Sequence, residues 1–153
     1  PIAAGTQWVE GNNSCATISG LGESWGSNNM WYKFTAPASR NYNLVIKTPA
    51  GGEKIKQARI RIYSSVNGDC NTVNNAAQVG SEINFTFSTA SYDSVGVATT
   101  GNFTAGVTYF IAVASQNSTS AGQFRLKLSS LPLLPCPVLV SPAANATGIP
   151  RDA

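Results

Sequence analysis

The chain has 153 residues, enough for one domain with a full hydrophobic core. Its hydrophobic fraction, 42%, is that of a globular protein, but only 11% of residues are charged, against roughly 25% in typical soluble domains. Ser, Thr, Asn and Gly take their place, as suits a secreted β-protein. The net charge of +3, carried by scattered basic residues, argues against a nucleic-acid partner, and no run of residues is apolar enough for a membrane span.

Residues 1–13 hold Trp8 and Val9 among polar neighbours and predict an edge strand or an ordered arm. No signal peptide opens the chain, and Pro1 is read as the edge of a mature fragment. A short β-prone run follows at 15–19, and the Gly-, Ser- and Asn-rich segment 20–29 predicts a loop that carries Trp25. Residues 29–37 form the organising strand: Trp31 and Lys33 share one face, Met30, Tyr32 and Phe34 the other, and Pro37 ends it. This strand is expected against the run 109–113. Tyr42, Leu44 and Ile46 alternate with Asn43, Val45 and Lys47 in a half-buried strand. After a Pro- and Gly-bearing loop over 48–57, Ile60 and Ile62 face one way and Arg59, Arg61 and Tyr63 the other.

Residues 64–81 are an Asn- and Gly-rich excursion in which Asn67-Gly68 predicts a tight turn with positive φ just before Cys70. Ile83, Phe85 and Phe87 alternate with polar residues, and Val95 and Val97 mark a weaker strand. Residues 107–114 are the most continuously apolar run, as a central strand covered on both faces requires. Phe124, Leu126 and Leu128 alternate with Gln123, Arg125 and Lys127 in the last clear strand. About eight short strands and no sustained helical periodicity predict an all-β, jelly-roll-like antiparallel β-sandwich over residues 1–130. Beyond it, Pro132, Pro135, Pro137, Pro142 and Pro150 make 131–153 a proline-rich linker leading to a truncated next domain.

The motifs Trp31-Tyr32-Lys33-Phe34-Thr35-Ala36-Pro37, Ile60-Arg61-Ile62-Tyr63-Ser64 with Gly68-Asp69-Cys70, the run 105–113 and Gly122-Gln123-Phe124-Arg125-Leu126 stand in a telling order. Together they resemble the pre-peptidase C-terminal (PPC) type of domain, appended to secreted bacterial enzymes and surface proteins, here of the flavobacterial kind. The resemblance spans roughly residues 15–129 and implies a jelly-roll-like sandwich. Family members often carry an acidic cluster after the cysteine-bearing turn, where calcium could bind. Residues 71–77 have no carboxylate here, and calcium wants several hard oxygens with charge among them; no cofactor or metal is expected. The segment 136–150 resembles the start of a fibronectin type III domain.

No catalytic constellation is visible. Histidine is absent, so acyl transfer and a zinc site lack their usual groups. The seven carboxylates are scattered in loops, and their spacing neither makes nor forbids the pair a glycosidase needs. The gly-rich stretch 20–22 lacks the lysine or helix that phosphate binding requires. Five Asn-x-Ser/Thr sequons carry no weight in so Asn- and Thr-rich a chain.

The expected function is therefore a non-catalytic accessory module of a secreted or cell-surface protein, with a glycan as ligand. Alternatively it is a structural spacer, or a docking domain whose partner is a neighbouring domain. The candidate ligand-binding residues are Trp8, Trp25, Tyr63, Tyr92, Arg59 and Arg61, with a packing role for each aromatic and a solvated sheet face for the arginines as the plainer reading. A monomer is expected. Of the three single disulfides open to Cys15, Cys70 and Cys136, the pairing Cys15–Cys70 is chosen because both lie near strand ends, leaving Cys136 for a partner in the next domain. Cys136 competes if the tail lies beside the first strand.

Overall fold

A computed structural model describes residues 8–14, 27–65, 68 and 77–130. Eight strands account for most of them: β1 (Val9–Asn12), β2 (Ser27–Thr35), β3 (Tyr42–Lys47), β4 (Gln57–Ser65), β5 (Ile83–Thr86), β6 (Val95–Thr99), β7 (Thr108–Ser115) and β8 (Gln123–Ser130). A single 3-10 turn at Ser118–Ser120 is the longest helical piece among the described residues. The strands form two four-stranded sheets, ordered β1-β8-β3-β6 and β2-β7-β4-β5, with antiparallel ladders throughout. The chain changes sheet at every connection except β4–β5, which is the strand order of a jelly roll. The all-β jelly-roll sandwich is thus the observed fold.

Two-residue periodicity explains which side chains meet. Tyr42, Leu44 and Ile46 of β3 and Phe124, Leu126 and Leu128 of β8 enter the core from one sheet. Tyr32 and Phe34 of β2, Ile60 and Ile62 of β4, and Tyr109, Ile111 and Val113 of β7 enter from the other. The organising strand pairs with β7 in the register Trp31↔Ala112, Tyr32↔Ile111, Phe34↔Tyr109, as its sequence led us to expect. At one end of the core Phe34, Tyr42, Phe103 and Tyr109 form an aromatic block, in which Phe103 stacks on Tyr109 at 4.1 Å. Both buried phenols are satisfied: Tyr42 donates to the Ala38 carbonyl at 3.0 Å, and Tyr109 accepts from the Thr104 N–H at 2.8 Å.

Strand β7 is buried on both faces. Its outward residues Phe110, Ala112 and Ala114 form a second apolar cluster with Tyr63, and Trp31 packs on it. The first arm resolves into the edge strand β1, paired to β8 through Val9↔Leu126. Gly68 has φ +67°, the positive value expected of it, while its neighbours 66, 67, 69 and 70 lie outside the described residues. The predicted loop 48–57 is one residue shorter than expected, because Gln57 already pairs with Thr86. Residues Cys15, Cys70 and Cys136, the acid-free segment 71–76 and the tail 131–153 lie outside the described residues, and with them the disulfide and the linker.

Candidate binding cleft at the loop end

The jelly-roll order gathers four connections at one end of the sandwich: β1–β2, β3–β4, β5–β6 and β7–β8. Long-range hydrogen bonds fix three of them to one another. Asn13, fully buried after β1, donates to the Asn28 carbonyl at 2.9 Å and accepts from the Gly122 N–H at 2.9 Å. The β3–β4 loop lies along the start of β8, with Ile55 N–H donating to the Gln123 carbonyl (3.0 Å) and Gln123 N–H to the Glu53 carbonyl (3.1 Å). Only glycine permits this approach, because a Cβ on Gly122 would come 2.3 Å from the Lys54 carbonyl carbon. The β5–β6 loop is tied down by Asp93 N–H to the Pro49 carbonyl (3.1 Å) and by the Lys47–Asp93 ion pair (2.8 Å). Asp93 itself adopts φ +59°, a conformation Asp tolerates better than most residues.

Between these loops lies an open cleft of about 320 Å³, lined among others by Glu53, Lys54, Lys56, Thr89, Tyr92 and Thr119. That is at the lower end of the volumes that small-molecule sites occupy. Tyr92 is 52% exposed, the largest exposed aromatic ring among the described residues. Lys54 reaches it from below: only 5% exposed, it places its ammonium 4.4 Å from the ring centroid and donates to the Ser91 carbonyl. This cation–π contact occupies one side of the ring and fixes its orientation. Lys56 donates to the Thr119 carbonyl at 3.2 Å, and the Thr119 hydroxyl to Asn117 Oδ1 at 2.8 Å. The cleft thus offers a held phenol ring, hydroxyls and the exposed Lys56, with Glu53 as the carboxylate among its described lining residues.

The other candidate residues do not join Tyr92. Trp8 precedes β1 on the outer face of the β1-β8-β3-β6 sheet, half-buried, with Lys127 Nζ 4.7 Å from its ring. Tyr63, read from the sequence as a surface aromatic, is 1% exposed. It packs against Trp31 (ring centroids 5.6 Å apart) in the apolar cluster on the outer face of its sheet, so its ring is not presented to a ligand. Arg59 and Arg61 are held by one carboxylate: Glu82 accepts from Arg59 Nε at 2.9 Å and from Arg61 Nε at 2.8 Å. Burial alone would raise the Glu82 carboxyl, but the hydrogen bonds from both arginines outweigh it and keep it below its ordinary value. Trp25 lies outside the described residues. The run of basic residues 54–61 is therefore split, its lysines going to the cleft and its arginines to a sheet face. Sequence reasoning missed Lys54 as the support of Tyr92, and Asn13 and Gly122 as the pins of the cleft; the Gly122-Gln123 motif was the signal available for one of them.

No protein-family model and no curated protein sequence matches the chain. Three solved structures show a likeness to it. The pre-peptidase C-terminal domain of collagenase from Bacillus anthracis is 15% identical with a TM-score of 0.36, covering 83% of this chain and 90% of that one. A cycloisomaltooligosaccharide glucanotransferase from Paenibacillus sp., complexed with cycloisomaltoheptaose, is 16% identical with a TM-score of 0.37, covering 78% and 17%. The Podospora anserina GH26-CBM35 β-(1,4)-mannanase is 19% identical with a TM-score of 0.37, covering 84% and 29%. At such scores these likenesses settle neither family nor ligand. Among the described residues no helix is long and apolar enough to cross a membrane.

Proposed function

We propose that the chain is a non-catalytic, carbohydrate-binding accessory module of a secreted or cell-surface protein, and that the loop-end cleft is its binding site. The observation that carries this reading is Tyr92: an exposed ring, braced from below by Lys54, over a polar cleft of about 320 Å³. A pyranose presents an apolar face of C–H groups and a rim of hydroxyls. An aromatic ring takes the first, and amides, hydroxyls and charged groups take the second. Bracing matters because a platform already fixed in orientation loses little side-chain freedom on binding. Among the described residues of the lining, Glu53 has no second carboxylate to share acid and base roles in glycoside hydrolysis, which favours binding over catalysis.

The test is a glycan array followed by calorimetric titration of the best binders. Tyr92→Ala should weaken binding by about 10- to 100-fold, the loss of one stacking contact of roughly 1–3 kcal/mol, with the melting temperature unchanged. If no glycan binds, the spacer reading takes its place; if binding survives Tyr92→Ala intact, the site lies elsewhere than in this cleft.

A further inference from the structure

The short segment from Lys54 to Lys56 brings two cations to the lining of the loop-end cleft. Its main chain is fixed on several sides. Ile55, fully buried in the core, donates its N–H to the Gln123 carbonyl at 3.0 Å, and Lys56 donates its own to the Ser120 carbonyl at 2.9 Å. The Lys56 carbonyl accepts from the Phe87 N–H at 2.8 Å. Both lysines therefore start from a main chain that is already in place, which lowers the ordering cost of using them in binding.

Neither lysine meets a carboxylate among the described residues. Elsewhere Lys47 pairs with Asp93, Arg59 and Arg61 with Glu82, and Arg125 with Glu10. Lys54 is only 5% exposed, and its described partners are the Ser91 carbonyl and the Tyr92 ring. A buried cation is ordinarily matched by a counter-charge, and this one has none. Lys56 is exposed and donates to the Thr119 carbonyl, which leaves further N–H donors of its ammonium for a ligand. Of the acids nearby, Asp93 is taken up by Lys47. Glu53 is exposed and joins no ion pair among the described residues. Water and salt screen an exposed charge much more than a buried one. Lys54 therefore decides the sign of the field in the cleft, and it is positive.

We propose that the cleft selects acidic glycans: a sugar stacked on Tyr92 that carries a carboxylate or a sulfate ester, its anionic group held by Lys56 in the field of Lys54. This inference rests on the reading of the cleft as a glycan site and names the class of glycan. Lys54 acts without touching the ligand. Beneath the ring it holds Tyr92 in place and adds a positive potential that a neutral sugar leaves unmatched. A neutral pyranose satisfies the ring and the hydroxyls of Thr89 and Thr119, whereas an acidic one also supplies the missing counter-charge. Selectivity is the difference between the two. Lys56 is then the specificity-determining residue, and Glu53 works against it by repelling the anion.

The glycan array, sorted by charge, is the first measurement, and its leading binders should be acidic. The leading binder is then titrated by calorimetry beside its own neutral form. For a uronate such as oligogalacturonate that form is the methyl ester; for a sulfated chain such as a carrageenan oligosaccharide it is the desulfated sugar. The two cases tell a carboxylate from a sulfate ester. The acidic form should bind about tenfold or more tightly, with the advantage shrinking as salt is added. Lys56→Gln should remove most of that advantage at an unchanged melting temperature, and Lys56→Arg should keep it. Glu53→Gln, a second exposed position, should strengthen binding of the acidic form, and the neutral form should respond little to any of the three. Leading binders that are neutral, or equal binding of the two forms, overturn acid selection; if Tyr92→Ala still weakens them, the glycan reading stands. An advantage indifferent to both Lys56→Gln and Glu53→Gln also overturns it. A chain that binds no glycan loses both readings.

Discussion

Tyr32 shows how much one hydroxyl can weigh. Its ring fills the core against Phe124, with centroids 6.3 Å apart and edge to face, and its Oη finds no partner among the described residues. Burial raises its pKa from 10.0 to about 12. Because the folded-state value lies above the unfolded one, stability is fully present below pH 10 and is lost as pH rises toward 12, by about 3 kcal/mol in all. Tyr32→Phe should remove this loss and stabilise the protein at neutral pH by about 1 kcal/mol, since an unsatisfied buried hydroxyl costs more than a phenyl edge. Urea titrations of both proteins at pH 7 and above pH 10 measure the two effects. Equal slopes against pH in the two proteins would mean that Tyr32 does not titrate in this way. The residue's place in a strand facing inward was readable from the alternation of Met30, Tyr32 and Phe34 with Trp31 and Lys33. That its hydroxyl ends against Gly11, on a strand far behind it, was not, because alternation says which face is buried and nothing of what the tip of a side chain meets.

At the level of strands and loops the same division recurs. Strands β3 and β8 were legible because a period of two is a local property, written in residues such as Tyr42, Leu44 and Ile46, and β7 because its run is apolar throughout. Partnerships were illegible where they join residues far apart: Glu82 reaches Arg59 and Arg61 across 23 and 21 positions, and Asn13 reaches Gly122 across 109. The two arginines looked like half of a basic surface for want of that carboxylate. Tyr63 looked exposed because its strand alternates correctly, and only the apolar cluster with Phe110 and Trp31 makes its outward face a second interior. The cleft depends on one such distant contact. Gly122→Ala would push a methyl group into the Lys54 main chain, so the β3–β4 loop must retreat or the strand must shift. We expect a destabilisation of about 1–3 kcal/mol, as for overpacking elsewhere. The Tyr92 ring should lose its ammonium support as well, visible as a change in the tyrosine ring resonances. A variant as stable as the parent, with unaltered Tyr92 signals, would show that the loop yields freely.

For the whole molecule, the jelly roll dictates how the chain must find its fold. Strand β1 pairs with β8, β2 with β7 and β3 with both β6 and β8, so few strand contacts are local. Loop-closure entropy must be met before these pairings can form, and folding in milliseconds to seconds is expected rather than in microseconds. Stopped-flow fluorescence of the tryptophans measures this; a microsecond phase carrying the full amplitude would be inconsistent with closure of such distant pairs.

The pairing of the first strand with the last also governs how the module answers to force. In the antiparallel register Val9↔Leu126, Trp8 comes beside Lys127, so the chain enters and leaves the sandwich at the same end. Tension applied between those two points acts across β1 and β8 instead of along them. The ladder is then loaded one rung at a time, from Val9 inward, and opens like a zipper. Of the two ways to pull on a sheet this is the compliant one. A protein that carries such a module between an anchor and a working domain would load it in that direction, with Asn12 opposite Gln123 the last rung to part.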